Sequence, residues 1–160
     1  MMDNINLSIE LNKPMYLYQC PMFAITVSTV LLIDNGVLMI QKDDTLCFPF
    51  SMVRAGQETI QFASLRTVKE QTGVKLMKDA LIPVDFRSDP SRSKEGNLVD
   101  IGFICLPNNL DPDKVVAEKD NLIWKEVDFE NKKMIHASKL YMDHDVLLER
   151  ALEIACMIKE

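Results

Sequence analysis

The spacing of hydrophobic and polar residues is typical of strands in some segments of the chain and of helices in others. Segments 22–34 and 37–43 are rich in β-branched and other apolar residues, and Asn35-Gly36 separates them. Because Asn-Gly is favoured in two-residue hairpin loops, this pattern predicts an antiparallel hairpin. Segment 98–107 alternates and then becomes continuously apolar, which predicts a well-buried strand. Residues 122–127 predict a last short strand.

Two segments carry apolar residues at helical spacing. The first begins near Glu58 or Thr59, with Thr59 as a suitable N-cap, and ends at Gly73, a residue type preferred just beyond a helix C-terminus. Its apolar positions are Phe62, Ala63, Leu65 and Val68. The second covers 143–160, and its apolar stripe consists of Val146, Leu147, Ala151, Ile154, Ala155 and Ile158.

The remaining segments carry weaker patterns. Residues 46–59 predict a loop or short strand, 74–89 a strand, a turn and a second strand, and 108–121 a loop. Residues 1–14 predict an edge strand or a loose arm. Strands arrive mostly in hairpins, so the order of elements predicts one α+β domain over 1–160, with a mixed sheet covered by helices.

Composition narrows the function classes. The 160 residues carry a net charge of −6, which argues against a nucleic-acid surface but permits a phosphate-bearing small molecule that arrives with a divalent cation. Four cysteines without a CxxC pair, together with two histidines, argue against a zinc site and a disulfide framework. No signal peptide or apolar run of about 20 residues is present, so we expect a cytoplasmic protein.

The polar residues from Glu58 onward follow a recognisable spacing. Seven residues separate Glu58 from Arg66, and Glu70 and Gly73 follow. The segment "RTVKEQTGV" resembles the second half of the Nudix box, in which Gly, five residues, Glu and seven residues precede Arg-Glu-apolar-x-Glu-Glu-x-Gly-apolar. The resemblance implies a Nudix-type α/β/α sandwich, with the sheet between the box helix (about 59–72) and a C-terminal helix (about 144–159).

Two further stretches resemble one branch of the Nudix superfamily, the ADP-ribose pyrophosphatases and related repressors. They are "FRSDPSRSKEGNLVDIGFICL", similar to a loop with an Asp-Pro-x-Arg motif before a buried strand, and "LYMDHDVLLERALE", similar to the start of the branch's last helix. The resemblance implies metal-dependent hydrolysis of ADP-ribose or a similar nucleoside diphosphate. It also implies a homodimer.

The box departs from the family pattern at three positions. Carboxylates at i, i+3 and i+4 share one face of a helix and would converge on Mg²⁺ or Mn²⁺. Here those positions hold Thr67, Glu70 and Gln71, and Met52 stands where the box begins with Gly. We therefore expect weakened metal binding. These departures favour the alternative, a non-catalytic Nudix domain that binds a nucleotide-like ligand or a protein partner.

The resemblance also assigns roles to individual residues. It implies that Glu70 binds the metal, that Glu58 supports the metal or the catalysis, and that Arg66 orients these carboxylates. A plain ion pair with Glu70 and a favourable charge at the helix start are the competing interpretations for Arg66 and Glu58. The resemblance implies a general base on a loop away from the box; Glu95 and Glu118 are candidates, and the sequence leaves the choice between these and another acid open.

Three residues outside the box are candidates for the ligand site. Arg92 would hold a phosphate or a structural carboxylate, with a polar surface loop as the competing interpretation. Phe50 is a candidate for contact with the substrate, although the same pattern is typical of core or rim residues. His144, between two aspartates at a helix start, is interpreted as a capping or packing residue rather than as an acid–base catalyst.

Overall fold

The computed structural model describes residues 23–94 and 97–159, so the predicted arm or edge strand in 1–14 lies outside the described residues. The strands in these ranges are β1 (Ala24–Ile33), β2 (Gly36–Lys42), β3 (Thr45–Cys47), β4 (Phe50–Met52), β5 (Leu81–Arg87), β6 (Leu98–Cys105), β7 (Leu122–Asp128) and β8 (Lys133–Met134). The α-helices are α1 (Ile60–Thr72), α2 (Pro112–Ala117) and α3 (His144–Lys159).

The strands form one mixed sheet in the order β5-β6-β1-β2-β7-β8, with β3 paired to β2 and β4 paired to β1. β1 and β6 are parallel, and the other pairs are antiparallel. The predicted hairpin is confirmed, but its two-residue loop is Asp34-Asn35, because Ile33 of β1 pairs with Gly36, the first residue of β2. Gly36 needs to be glycine, since a Cβ there would clash with the Trp124 ring on β7.

The two long helices cover opposite faces of the sheet, which confirms the predicted α/β/α sandwich. Alternate side chains of β1 point to opposite faces, as strand geometry requires. Val30 and Leu32 belong to the core beneath α3, together with Leu147, Ala151 and Leu152. On the other face Leu31 packs with Val68, and Val27 packs with Ala63 of α1.

Both predicted ends of α1 are confirmed. The Thr59 hydroxyl accepts a hydrogen bond from the Phe62 N–H at 3.1 Å. Gly73 has a φ of 79°, the left-handed conformation in which glycine is least strained, and its N–H donates to the Lys69 carbonyl. Thr59 and Gly73 therefore fix the length of the helix, as their residue types predicted.

The predicted buried face of α1 is partly wrong. Phe62 is 58% exposed, whereas the buried face contains Ala63, Ser64, Thr67, Val68 and Thr72. Hydroxyl groups can be buried here because they find partners within the fold: Thr67 donates to the Ala63 carbonyl at 2.6 Å, and Ser64 pairs with Thr29. Apolar spacing alone therefore identified Ala63 and Val68 but missed the buried hydroxyl-bearing residues of this face.

The C-terminal helix agrees better with the prediction. Leu147, Ala151 and Ala155 are buried as expected, together with Leu148 and Leu152. Two members of the predicted stripe, Val146 and Ile158, are 38% and 50% exposed. The buried face therefore includes Leu148 and Leu152, and it excludes Val146 and Ile158.

Three segment predictions are wrong. Segment 74–89 contains one strand, β5, preceded by a 3-10 turn at Lys78–Ala80. Segment 108–121 contains α2, whose N-cap Asp111 accepts from the Asp113 N–H at 3.1 Å. β7 is followed by β8 and is not the last strand. Among the described residues, we find no helix with the length and apolar character needed to cross a bilayer.

Candidate functional site

Arg66 organises the polar side chains on the exposed side of the box helix. Its Nε and Nη2 donate to the two oxygens of Glu58 at 2.8 and 2.7 Å, and its Nη1 donates to Glu70 at 3.1 Å. Nη2 also approaches the carbonyl oxygen of Met52 on β4 at 3.2 Å. The structure thus brings together Glu58, Arg66 and Glu70, three residues that the box spacing singled out.

The Glu58 carboxylate accepts hydrogen bonds from Arg66 and from the backbone. Its Oε1 accepts a further hydrogen bond from the Arg54 N–H at 2.9 Å, and the side chain is only 3% exposed. The hydrogen bonds from Arg66 are the main reason that the pKa of Glu58 falls from 4.5 to about 2. Glu58 is therefore ionised at neutral pH, and both of its oxygens accept hydrogen bonds.

Thr67 and Gln71, at the positions where the resemblance implies glutamates, contact strand β4. Gln71 accepts from the Phe50 N–H at 3.1 Å and donates to the Phe50 carbonyl at 2.8 Å. Thr67 is fully buried, and its hydroxyl forms a short hydrogen bond with that of Ser51. We call this pair of contacts, Gln71 with Phe50 and Thr67 with Ser51, the β4 clamp. The clamp fastens the box helix to the strand.

The residues of the box fit a divalent ion poorly. Mg²⁺ requires near-octahedral oxygen ligands, usually with one or two carboxylates. The described residues contain no cluster of three His, Cys, Asp or Glu side chains that could hold an ion. Glu70 is exposed, but its carboxylate lies 3.1 Å from Arg66 and 3.8 Å from Arg54, so cationic side chains already neutralise it. The metal roles of Glu58 and Glu70 stay predictions.

A cavity of about 570 Å³ lies on the other side of β4, and we call it the main cavity. Strands β1, β4 and β6 and the segment before α3 contribute to its lining. Phe50 and Arg92, the two residues expected to contact a ligand, both lie in this lining, as does His144. The box helix and the candidate ligand residues therefore flank the same short strand.

Asp100 supplies a buried negative charge to the lining of the main cavity. It is 1% exposed, and its Oδ1 accepts from the hydroxyl groups of Thr26 at 2.6 Å and Ser28 at 2.9 Å. Its Oδ2 accepts a short hydrogen bond from Arg87. Arg87 also donates to the Asp143 carboxylate at 2.5 Å, which connects β5 and β6 to the start of α3.

Arg92 holds a structural carboxylate, one of the two roles expected of it. Its Nε and Nη2 each donate to Asp143 at 2.9 Å. Burial raises the pKa of Asp143, but the hydrogen bonds from Arg92 and the charges of Arg87 and Arg92 outweigh it, and the pKa is lowered. The Arg92 side chain is 4% exposed, and its Nη1 is buried without a hydrogen-bond partner in the described part of the chain.

Aromatic rings form one wall of the main cavity. Phe50 and Tyr141 stack with their centroids 5.1 Å apart, and His144 meets Phe50 edge-on at 5.5 Å. The Nδ1 of His144 accepts from the Phe48 N–H at 3.0 Å, which assigns the ring proton to Nε2. Burial lowers the pKa of His144 to about 4, so the ring is neutral at pH 7.

Of the two candidates for the general base, Glu95 and Glu118, the structure describes only Glu118. Glu95 lies outside the described residues. Glu118 is exposed at the end of α2 and is not among the residues that line the main cavity.

Sequence reasoning also missed Asp100 and Asp143. A lone acid in the otherwise apolar stretch "LVDIGFIC" was a usable signal for Asp100.

Comparison with known proteins places the fold. No protein-family model and no curated protein matches the chain. A MutT/nudix family protein from Enterococcus faecalis is 19% identical, with a TM-score of 0.71 over 94% of this chain and 70% of that one. A bifunctional NMN adenylyltransferase/ADP ribose pyrophosphatase from Francisella tularensis, complexed with AMP and a Mn ion, is 16% identical, with a TM-score of 0.61 over 96% of this chain and 46% of that one.

The NUDIX domain of Shewanella oneidensis NrtR, complexed with ADP ribose, has a TM-score of 0.70 and 19% identity over 94% of this chain and 98% of that one. A longer NrtR chain, of which this chain covers 62%, was solved with a 27mer DNA (TM-score 0.65, 20% identity, 83% of this chain). Identities of this size show the fold alone. The chain therefore has the Nudix fold, which the spacing from Glu58 to Gly73 predicted.

Proposed function

We propose that this chain is a ligand-binding Nudix domain that holds a nucleotide-like small molecule in the main cavity and does not hydrolyse it. The β4 clamp is the observation that carries the proposal. The side chains at two of the three carboxylate positions, Thr67 and Gln71, are committed to hydrogen bonds with Ser51 and Phe50. They are therefore not available to bind an ion or activate a water molecule.

Metal-assisted hydrolysis needs an ion that polarises the phosphoryl group and lowers the pKa of a bound water molecule. In this box the remaining carboxylates, Glu58 and Glu70, are both paired with Arg66. Cationic side chains compensate the negative charge that would otherwise attract the ion. The chemistry of this donor set therefore supports binding without turnover.

The main cavity supports a small-molecule ligand. Its volume of about 570 Å³ falls in the range of about 300–1,000 Å³ that is usual for such sites. Aromatic rings in the lining can stack on a base. ADP ribose and AMP are bound by structurally similar proteins, which suggests a nucleotide-like ligand for this chain.

The decisive experiment measures binding and turnover on the same samples. ADP-ribose and AMP are titrated by calorimetry, once with Mg²⁺ or Mn²⁺ and once with EDTA, and AMP release is followed by chromatography. We expect binding in EDTA and no AMP release. The exposed carboxylate of Glu70 favours weak hydrolysis as a second candidate function. Metal-dependent AMP release that disappears in Glu70→Gln would establish that second function and refute the proposal.

A matched pair of variants tests whether the main cavity is the binding site. Tyr141→Leu removes a ring that stacks on Phe50 in the lining. Base–aromatic stacking is worth about 1–3 kcal/mol, so we expect roughly 5- to 150-fold weaker binding. Phe62→Leu is the control, since that ring is exposed on α1 away from this cavity. Equal affinities of the two variants would place the ligand elsewhere.

A further inference from the structure

A second pocket lies on the other side of the Phe50 ring. Its volume is about 440 Å³, and Phe50 lines both this pocket and the main cavity. Lys42, Lys119 and Asn121 line it, together with Glu70 and Gln71 at the end of the box helix. We call it the lysine pocket. It adjoins the part of α1 at which the Nudix resemblance implies a metal ion.

The two lysines of this pocket have no carboxylate partner in the described ranges. Lys42 Nζ lies 4.3 Å from the centroid of the Tyr141 ring and 5.2 Å from that of Phe50. Lys119 Nζ donates to the backbone carbonyl of Glu70 at 2.6 Å, which leaves its charge uncompensated. The Glu70 carboxylate is instead paired with arginine side chains.

The charge balance of the lysine pocket therefore favours an anion. The protein as a whole carries a net charge of −6, so a pocket with two uncompensated ammonium groups differs from its average surface. Lysine is a common point-charge partner for phosphate. The Lys42 ammonium lies against both Phe50 and Tyr141, where the lysine pocket meets the main cavity. One ligand could therefore contact both sites.

We propose that the lysine pocket binds the phosphate or diphosphate group of the ligand, and that Lys42 and Lys119 supply the positive charge that a divalent ion supplies in a metal-dependent site. The part of this inference that joins the two cavities rests on the proposed function. Binding of the phosphate group itself does not, and it can be tested alone. The inference predicts that anion binding is independent of divalent metal.

The first experiment uses inorganic pyrophosphate in the presence of EDTA. Binding to the full chain is followed by amide NMR shifts, and we expect saturable shifts around the lysine pocket. Lys42→Gln and Lys119→Gln should each weaken pyrophosphate binding about tenfold, which corresponds to about 1.4 kcal/mol. Lys114→Gln is the control because Lys114 is an 85% exposed lysine on α2. Thermal unfolding of each variant verifies that it is folded.

Three results would overturn the inference. They are the absence of pyrophosphate binding, binding that requires Mg²⁺, and equal affinities of the Lys42→Gln, Lys119→Gln and Lys114→Gln proteins. Raising the salt concentration provides a further check, since screening should weaken pyrophosphate binding in wild type more than in the lysine variants.

A second experiment separates this inference from the proposed function. ADP-ribose and adenosine are compared as probes, since adenosine lacks the diphosphate. If the inference holds, the Lys42 and Lys119 variants lose affinity for ADP-ribose and keep their affinity for adenosine. If both variants bind ADP-ribose as tightly as wild type, the lysine pocket does not bind the diphosphate, and the proposed function is unaffected. Lysine-dependent pyrophosphate binding without ADP-ribose binding would refute the proposed function and leave the lysine pocket.

Discussion

Replacing Gln71 by glutamate should destabilise this protein, although glutamate is the residue that the Nudix resemblance implies at this position. The Gln71 amide donates to the Phe50 carbonyl at 2.8 Å and accepts from the Phe50 N–H at 3.1 Å. A carboxylate can accept from the N–H but cannot donate, so the Phe50 carbonyl would lose its partner and face a negative charge. The new side chain would therefore satisfy only half of the contact.

The magnitude follows from the hydrogen bond that is lost. A neutral hydrogen bond contributes about 0.5–1.5 kcal/mol, and leaving its acceptor unsatisfied raises the cost to about 1–3 kcal/mol. Gln71 is partly buried, so we expect a loss within that range at pH 7. For a chain of this length, each kcal/mol shifts the melting temperature by about 2–4 °C, which gives a decrease of roughly 2–12 °C.

The dependence on pH distinguishes this mechanism from a general packing defect. A protonated carboxyl group can donate to the Phe50 carbonyl, so the folded state should raise the pKa of the introduced carboxyl above about 4.3, the ordinary value for glutamate. A raised pKa means that the penalty is present at neutral pH and decreases as the pH falls through that pKa. The difference from wild type in urea unfolding should therefore be smaller at pH 4 than at pH 7.

The control for this prediction carries the same chemical change on the same helix. Gln61 is exposed in the first turn of α1, where a negative charge interacts favourably with the helix dipole. Gln61→Glu should therefore be neutral or slightly stabilising. The reasoning is refuted if Gln71→Glu is as stable as Gln61→Glu at pH 7, or if its penalty does not change between pH 7 and pH 4.

Three further predictions concern other parts of the fold. Gly36→Ala should lower the free energy of unfolding by at least about 1–3 kcal/mol in urea titrations, because the new methyl group overlaps the Trp124 ring. Asp100→Asn should cost about 1.5–3 kcal/mol, since Arg87 loses one charged hydrogen-bond partner and keeps Asp143, and a loss below about 1 kcal/mol would contradict this. Glu58→Gln should melt at a lower temperature than wild type at neutral pH, and this difference should decrease as the pH falls. The reason is that the pKa of Glu58 is about 2 in the folded state and 4.5 ordinarily. That stabilisation is present above pH 4.5 and is lost toward pH 2.

Local signals in the sequence predicted the features that depend on neighbouring residues. The hairpin was predicted from Asn35-Gly36, although its loop lies one residue earlier, and the ends of α1 follow from Thr59 and Gly73, because turn and cap geometry depends on a few adjacent residues. Helix α2 was missed, since its six residues are too few to establish a period. Its Asp111-Pro112 start was nevertheless a helix signal that the loop interpretation overlooked.

Contacts between distant segments could not be predicted in this way. Asp100 pairs with Arg87, 13 residues earlier, and with Thr26, 74 residues earlier, while Arg92 pairs with Asp143, 51 residues later. Hydrophobic periodicity indicates which face of an element is buried, but not which polar side chains meet there. The box was recognised because its residues lie on one helix, whereas the lining of the main cavity comes from several segments.

Thr67 and Gln71 connect α1 to the main cavity through β4. β4 has only three residues, and each of them contacts α1: Phe50 through Gln71, Ser51 through Thr67, and Met52 through Arg66. Phe50 also lines the main cavity, so the contacts that fix the position of this strand fix one wall of the site.

The double substitution of Thr67 and Gln71 by glutamate would therefore not create a metal site in this chain. Thr67 is fully buried, and a charge introduced there would lose its hydration, at a cost of several kcal/mol. Gln71→Glu would at the same time weaken the contact with Phe50. The double substitution should thus loosen β4 and reduce ligand binding before any ion is bound. The helix face at which the Nudix resemblance implies catalytic carboxylates is here hydrogen-bonded to β4, which lines the main cavity.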